Sequence, residues 1–416
     1  MALNYIWAAF LIIGFIVAVC KAIFLGETGL LSDMMNGLFD SAKTGFEISI
    51  GLTGVMSLWL GVMKIGEKAG VIKAFSKAVA PLFRVLFPGI PKEHPANGSM
   101  VMNLSATMLG LDNAATPLGL KAMSELQELN TEKDTASNAQ IMFLVLNTAG
   151  IMLIPTTIIA LRQTIAVQQH LVGFNAADIF LPTLIATFIA FISGIIIVSI
   201  FQRINIFKLP VLIFIAGFCG LIALLHYNLS GMPADEMNKA MGAIGSGVIL
   251  TIIILFLCAG LIKKQNVYNH FIEGAKEGFT VAIRIIPFLV AMLVAISVFR
   301  TSGCMDYIVN GIGHITAFFG LDTRFVPDLP IALMKPLSGS GSRGLMVDVM
   351  KNYGVASFQG KLAAVIQGST ETTFYVLAVY FGSVQIKNTR YALAAGLAAD
   401  IIGLIAAIVV GYMFFG

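Results

Sequence analysis

Phe39–Ile50 reads FDSAKTGFEISI, and Ile272–Ile283 reads IEGAKEGFTVAI. At this one offset of 233 positions Ala42, Lys43, Gly45 and Phe46 fall on Ala275, Lys276, Gly278 and Phe279. The register continues without a gap. Gly70 falls on Gly303, Leu104 and Ser105 on Leu337 and Ser338, and Thr107 on Ser340. A unit that occurs twice in an apolar chain predicts a protein of two related halves, with its site where they meet.

Composition supplies the surroundings of that unit. Of 416 residues, 57% are apolar and 12% are charged. Soluble domains carry roughly 25% charged residues, so the chain reads as a polytopic membrane protein. A net charge of +4, scattered along the chain, gives no basis for nucleic-acid binding. Cys20, Cys219, Cys258 and Cys304 lie far apart. They read as small core residues, with neither a disulfide framework nor a metal site. The apolar run 5–25 has no basic segment before it and no clear cleavage site, so it reads as a retained helix.

A helix needs roughly 20 apolar residues to cross a bilayer. About nine stretches qualify, near 5–25, 46–66, 139–162, 178–201, 208–228, 239–263, 279–300, 361–385 and 390–414. Residues 97–128 and 329–353 are apolar but broken by polar and glycine clusters. Irregular backbone at membrane depth must be buried in protein or line a cavity. Both segments are therefore expected to be re-entrant helical hairpins. Segments 71–87 and 304–320 are expected to be interfacial amphipathic helices. In the first, Ile72, Phe75, Val79, Leu82, Phe83 and Leu86 form an apolar stripe with Lys73, Lys77 and Arg84 off it.

The fold expected is all-α with an inverted repeat. Each copy runs span, amphipathic helix, hairpin, broken span, final span. After the hairpins the offset falls to about 221, because the polar linker Ser124–Ala136 lengthens the first copy. The expected divisions are 1–206, a connecting pair of spans at 207–265, and 266–416. Of the 26 Lys and Arg residues, 15 fall on the side holding 64–138, 202–208, 263–278 and 386–390. That bias makes this side cytoplasmic, with the N-terminus inside the bacterial inner membrane.

Four polar clusters interrupt the apolar pattern. The first hairpin carries Asn103, Ser105, Thr107, Asp112 and Asn113. The second carries Lys335, Ser338, Ser340, Ser342 and Arg343. The broken spans carry Asn147 and Thr148, and Gln367, Ser369, Thr370, Glu371 and Thr372. An interrupted helix exposes N–H groups at one end and carbonyls at the other. Hydroxyl and amide side chains supply the hydrogen bonds a polar solute loses on leaving water. These residues, Lys335 apart, are the expected substrate-binding set. Small residues packing helices together, with hydroxyls bonded to nearby backbone, are the competing account.

The charged residues carry separate expectations. Glu371, a carboxylate at bilayer depth, suits a proton-coupling or partner role. Arg343 suits a substrate carboxylate or phosphate, or a latch to Glu371 or Asp112. Asp112 suits Na⁺ coordination with Asn113, or helix capping. Arg284 and Asp400 are expected to be buried against partners on neighbouring helices, and Lys335 to snorkel to the interface. Enzyme signatures are missing: none of the five histidines forms HExxH, and no Ser sits in G-x-S-x-G. A hydrolase built on Ser338 or Ser340 with Lys335 is the weaker alternative.

The stretches NGSMVMNLSATMLGLDNAATPLGLKAM and IMFLVLNTAGIMLIPTTIIALR resemble the spore maturation protein A family. LPIALMKPLSGSGSRGLMVDVMKNYG and IQGSTETTFYVLAVYFGSV resemble the spore maturation protein B family. The chain looks like a fusion of the two, each carrying a nucleoside-recognition (Gate) domain. More distantly, the order of hairpin and broken helix is similar to the core of concentrative nucleoside transporters, where hairpin tips and broken helices bind nucleoside and cation. Where that superfamily's first tip has Gln-Thr-Glu, this chain has Leu111-Asp112-Asn113. The resemblance implies a membrane role and a solute site at these positions, and the matched polar breaks predict a secondary transporter, importer or exporter, for a small polar solute such as a nucleoside, amino acid, peptide or organic anion. Coupling to H⁺ or Na⁺ is expected, with no other cofactor, and the chain is expected to be a homo-oligomer. A non-transporting scaffold or regulator of envelope or spore maturation is the alternative.

Overall fold

A computed structural model describes the backbone of residues 2–109, 112–229 and 234–416. Among the described residues the only secondary structure beyond helices and turns is one isolated bridge, between Thr135 and Asn388. The protein is therefore a helical membrane protein, with several long apolar helices. Its first helices are α1 (Ala2–Phe24), α2 (Leu30–Lys68) and α3 (Val71–Leu86). The first expected hairpin is α4 (Pro95–Met108) and α5 (Asp112–Leu129). The first expected broken span is α6 (Asn138–Thr148) and α7 (Thr156–Gln168), and α8 (Phe180–Gln202) follows a 3-10 turn, Ala176–Ile179. The connecting pair is α9 (Leu209–Leu229) and α10 (Ala234–Ile262). The second series is α11 (Val267–Thr301), α12 (Cys304–Phe318), α13 (Leu329–Met334), α14 (Gly339–Tyr353), α15 (Phe358–Ser369), α16 (Thr373–Ser383) and α17 (Ala392–Phe415).

Six helical stretches among the described residues are long and apolar enough to cross a membrane: Asn4–Phe24, Leu30–Lys68, Ala176–Gln202, Lys239–Ile262, Val267–Thr301 and Ala392–Phe415. Leu209–Leu225 is a shorter apolar helix. Large apolar side chains lie exposed along these helices, among them Phe15, Ile213, Leu250, Ile254, Phe288 and Ile405. In water such surface would be a liability, whereas in a bilayer it is the solvated face. Cys20, Cys219 and Cys258 are exposed on these same helices, so only Cys304 is the core residue expected. Arg284 also departs from expectation. It lies on the exposed side of α11, where a long side chain can lead its charge toward the interface.

α2 and α11 run antiparallel in close contact along their length. Glycines permit it: a Cβ at Gly45 would come within 3.1 Å of Val290 Cα, and one at Gly278 within 2.6 Å of Met56 O and of Ser57 Cα. Ser57 Oγ donates to Ala275 O at 3.0 Å across the same seam. At one end Lys64 meets Glu67, Glu273 and Glu277. α8 and α17 form a second close pair, in which a Cβ at Gly403 would reach 2.8 Å from Ala190 Cβ.

Gly70 and Gly303, which match in the repeat, both adopt left-handed backbone (φ 75 and 85) and both turn the chain into the next helix. A side chain at either position would strain the turn. α3 then buries Ile72, Val79, Leu82, Phe83 and Leu86. That stripe packs on protein, chiefly on α4, rather than facing outward. α12 buries only Cys304 and Met305 and leaves Ile308, Ile315 and Phe318 exposed. The linker before α6 docks on the loop before α17: Ala136 N–H donates to Asn388 O at 2.9 Å, and Lys387 N–H to Asp134 O at 2.8 Å.

Candidate functional site

The two broken spans are built alike. α6 opens with a capping box, Ser137 accepting from Gln140 N–H while the Gln140 side chain accepts from Ser137 N–H. It closes at Thr148, whose hydroxyl donates to Val145 O at 3.0 Å. α15 opens with Ser357 accepting from Gly360 N–H and closes at Ser369, whose hydroxyl donates to Ile366 O at 2.9 Å. Beyond these ends both chains leave helical geometry. In the first, Gly150 and Pro155 lie in the break. In the second, Thr370 and Thr372 take extended backbone angles.

Lipid could not satisfy the freed backbone groups, so protein does. Glu371 N–H donates to Thr148 O at 2.7 Å, joining one break to the other. Leu153 N–H donates to Met108 O at 3.0 Å, at the end of the first hairpin arm. Phe374 N–H donates to Pro336 O at 3.1 Å, in the break of the second hairpin.

Beside this junction lies a cavity of about 90 Å³. Pro155, Thr156 and Thr157 form one wall, Lys335, Gly339 and Arg343 a second, and Gln367, Glu371 and Thr372 a third. Gly339 is required by the approach of the second and third walls, since a Cβ there would lie 2.7 Å from Thr372 Oγ1. Two cations and one carboxylate thus share a small space with an amide and hydroxyls. Such a lining can hold a carboxylate or phosphate on Arg343 and Lys335 while Glu371 receives a donor or a proton. Lys335 is only 4% exposed, which corrects the snorkelling expectation.

The remaining candidates fall into supporting positions. Ser342 is fully buried and donates to Gln367 Oε1 at 2.5 Å, fixing the second hairpin to the second broken span. Ser338 caps α14 by accepting from Gly341 N–H at 3.0 Å, and its hydroxyl lies 3.2 Å from that of Ser340. Ser105, its counterpart in the repeat, sits inside α4 and accepts from Ser76 of α3. Thr107 donates back to Asn103 O. The hydroxyl of Thr370 is buried and meets no partner among the described residues. The side chains of Asp112 and Asn113 lie outside the described residues. Asp400, fully buried, accepts from Thr373 Oγ1 at 2.5 Å, which is the inter-helix partner expected for it.

A second polar group was not anticipated. Tyr380 of α16 donates to Asn147 Oδ1 at 3.3 Å and accepts from Asn103 Nδ2 at 3.2 Å. Asn103 also donates to Ala115 O at 2.8 Å. Two candidate residues of the first series are thereby bridged by a tyrosine of the second. Arg162 is equally unexpected. It is fully buried, pairs with Asp178, and reaches Ala176 O and Val355 O. Asp178 also lies 3.4 Å from Lys361. A tyrosine in an apolar run and an arginine at a span's end carry no pattern of their own, which is why the sequence did not mark them.

These features define a class: a polytopic helical membrane protein whose two broken helices meet beside a small polar cavity. Within that class, the chain belongs to the Gate family, described as nucleoside recognition, matched at residues 49–164 and 282–387. The two matched segments carry the two broken spans. The chain is similar to spore maturation protein B of Bacillus subtilis (strain 168), 47% identical over 169 residues, which is 41% of this chain and 93% of that protein. It is also similar to spore maturation protein A of the same organism, 42% identical over 194 residues, 47% of this chain and 92% of that protein.

Proposed function

We propose that the protein is a secondary transporter of a small polar solute, built as an inverted repeat of two Gate units. The units are residues 1–206 and 266–416, with 207–265 as the pair of spans that resets direction between them. Nine spans and two re-entrant hairpins follow if α6–α7 and α15–α16 each cross once and α4–α5 and α13–α14 each dip and return. The matched left-handed glycines at 70 and 303 and the antiparallel seam of α2 and α11 support this reading. The charge bias supports an inner-membrane location with the N-terminus on the cytoplasmic side.

One observation carries the functional reading: the hydrogen bond from Glu371 N–H to Thr148 O, which unites the two helix breaks beside a cavity bearing Lys335, Arg343 and Glu371. Broken helices at a repeat interface are where transporters hold solute and coupling ion. Ligand sites are commonly about 300–1,000 Å³. A cavity of about 90 Å³ is smaller than that, so loading requires the second hairpin to draw back from α15–α16. Glu371 suits H⁺ coupling, and the unpartnered oxygens of Thr370 and Asp400 suit a small cation. A nucleoside, amino acid, peptide or organic anion fits this chemistry, with carboxylate or phosphate favoured by the paired cations.

The test is flux. Purified protein in sealed vesicles is loaded with labelled nucleosides, amino acids and organic anions under imposed H⁺ or Na⁺ gradients. Gradient-dependent flux is expected, with Arg343→Gln, Glu371→Gln and Ser340→Ala lowering it tenfold or more while the protein stays monodisperse, roughly the loss of one charge-assisted contact. Flux unchanged in all three variants would overturn the site. A complete lack of flux across the metabolite set would favour the scaffold.

A further inference from the structure

Where α3 meets α4 and the loop between them there is a groove of about 530 Å³. Its floor is apolar, with Phe83, Phe87, Ile90 and Val101 buried there. Its rim carries four exposed cations, Lys73, Lys77, Arg84 and Lys92, and no carboxylate lines it. Among the described residues none of the four is ion-paired. The apolar helix α9 packs on α3, so the groove adjoins a stretch suited to the bilayer.

The second series supplies a comparison within the same chain. A groove of about 210 Å³ bordered by α1, α11, α12, α13 and α14 has only apolar lining residues. The positions that match Lys73, Lys77, Arg84 and Lys92 at the 233-residue offset are Asp306, Asn310, Ala317 and Phe325. None is cationic. At the matched positions the cationic rim therefore belongs to the first series and not to the second. A bias of positive charge toward one side of the membrane would be met by lysines anywhere on that side. Four around one apolar-floored groove is a narrower arrangement.

We propose that the α3–α4 groove is a binding site for an anionic phospholipid. The phosphate-bearing headgroup lies among Lys77, Arg84 and Lys92, and the start of an acyl chain lies over Phe83, Phe87 and Val101. A cationic rim gives headgroup selectivity and an apolar floor gives residence, and each alone would hold lipid poorly. The proposal is independent of whether the protein transports, since it uses only the groove and its charge.

The test uses the full-length protein, delipidated in neutral detergent and then offered phosphatidylglycerol or phosphatidylcholine, with retained lipid counted by native mass spectrometry. Wild type should retain phosphatidylglycerol preferentially. Each cation removed should cut that preference about fivefold, so Lys77→Gln with Arg84→Gln should nearly abolish it. Gly98→Phe is the second variant: Gly98 lines the groove, and a Cβ there meets nothing within 4 Å, so the ring fills space without clash or change of charge. It should expel lipid of both kinds. Millimolar inorganic phosphate should not compete. Equal retention of the two lipids by wild type, an undiminished preference in the double variant, unchanged retention in Gly98→Phe, or displacement by phosphate alone would each overturn the proposal.

Discussion

Replacing Asp178 by Asn should destabilise the protein more than any conservative surface change, because Asp178 is the carboxylate between two cations. Arg162 has no exposed surface, and its guanidinium stacks 5.0 Å from the Phe174 ring centre while pairing with Asp178. Lys361 approaches the same carboxylate at 3.4 Å. Asparagine keeps the shape and part of the hydrogen bonding but removes the charge, leaving Arg162 buried and facing Lys361. Breaking one side of a buried pair costs about 3–5 kcal/mol. Substituting both partners by leucine removes the stranded charge as well as the attraction, and such replacements are often neutral or better. Lys361 keeps a partly exposed side chain and a contact 4.9 Å above Phe415. Equilibrium unfolding in mixed micelles, read by tryptophan and tyrosine fluorescence, gives the comparison. Asp178→Asn should lose about 3–5 kcal/mol, and Arg162→Leu with Asp178→Leu should recover most of it. A loss below about 1 kcal/mol in the single variant, or an equal loss in the paired one, would refute the reasoning.

Two further outcomes follow from packing and from the buried amides. Gly278→Val should loosen the α2–α11 seam at a cost of about 1–3 kcal/mol or more, since its Cβ would press on the Met56–Ser57 backbone; Gly54→Val, in open space, should be near neutral in the same unfolding measurement. Tyr380→Phe leaves Asn147 Oδ1 without its donor while Asn103 keeps Ala115 O, for a loss of about 1–3 kcal/mol, whereas exposed Tyr375→Phe should match wild type.

The reach of sequence reasoning differs between the breaks and the partners. Gly150, Pro155 and the run Gln367–Thr373 marked both broken spans, because backbone that leaves a helix needs residues that tolerate it. The amphipathic stripe of α3 was also legible, but its direction was not: the stripe faces α4, a choice made by the neighbouring helix. The counterparts Ser105 and Ser338 read as equivalent. They differ because α13 stops at Met334 whereas α4 continues to Met108, so one serine caps a helix and the other bonds Ser76 from within one.

From its residues alone this chain declares its membrane setting and the places where helices must break. Those are local properties, set by transfer of apolar surface from water and by the conformational range of glycine and proline. Which broken segments touch is another matter. Only the folded chain brings Thr148 to Glu371, sets Lys335 and Arg343 against that junction, and draws Tyr380 between Asn103 and Asn147. The Thr148–Glu371 bond and the Tyr380 bonds join residues more than two hundred positions apart, and the helix packing that creates them leaves no periodic trace in the sequence.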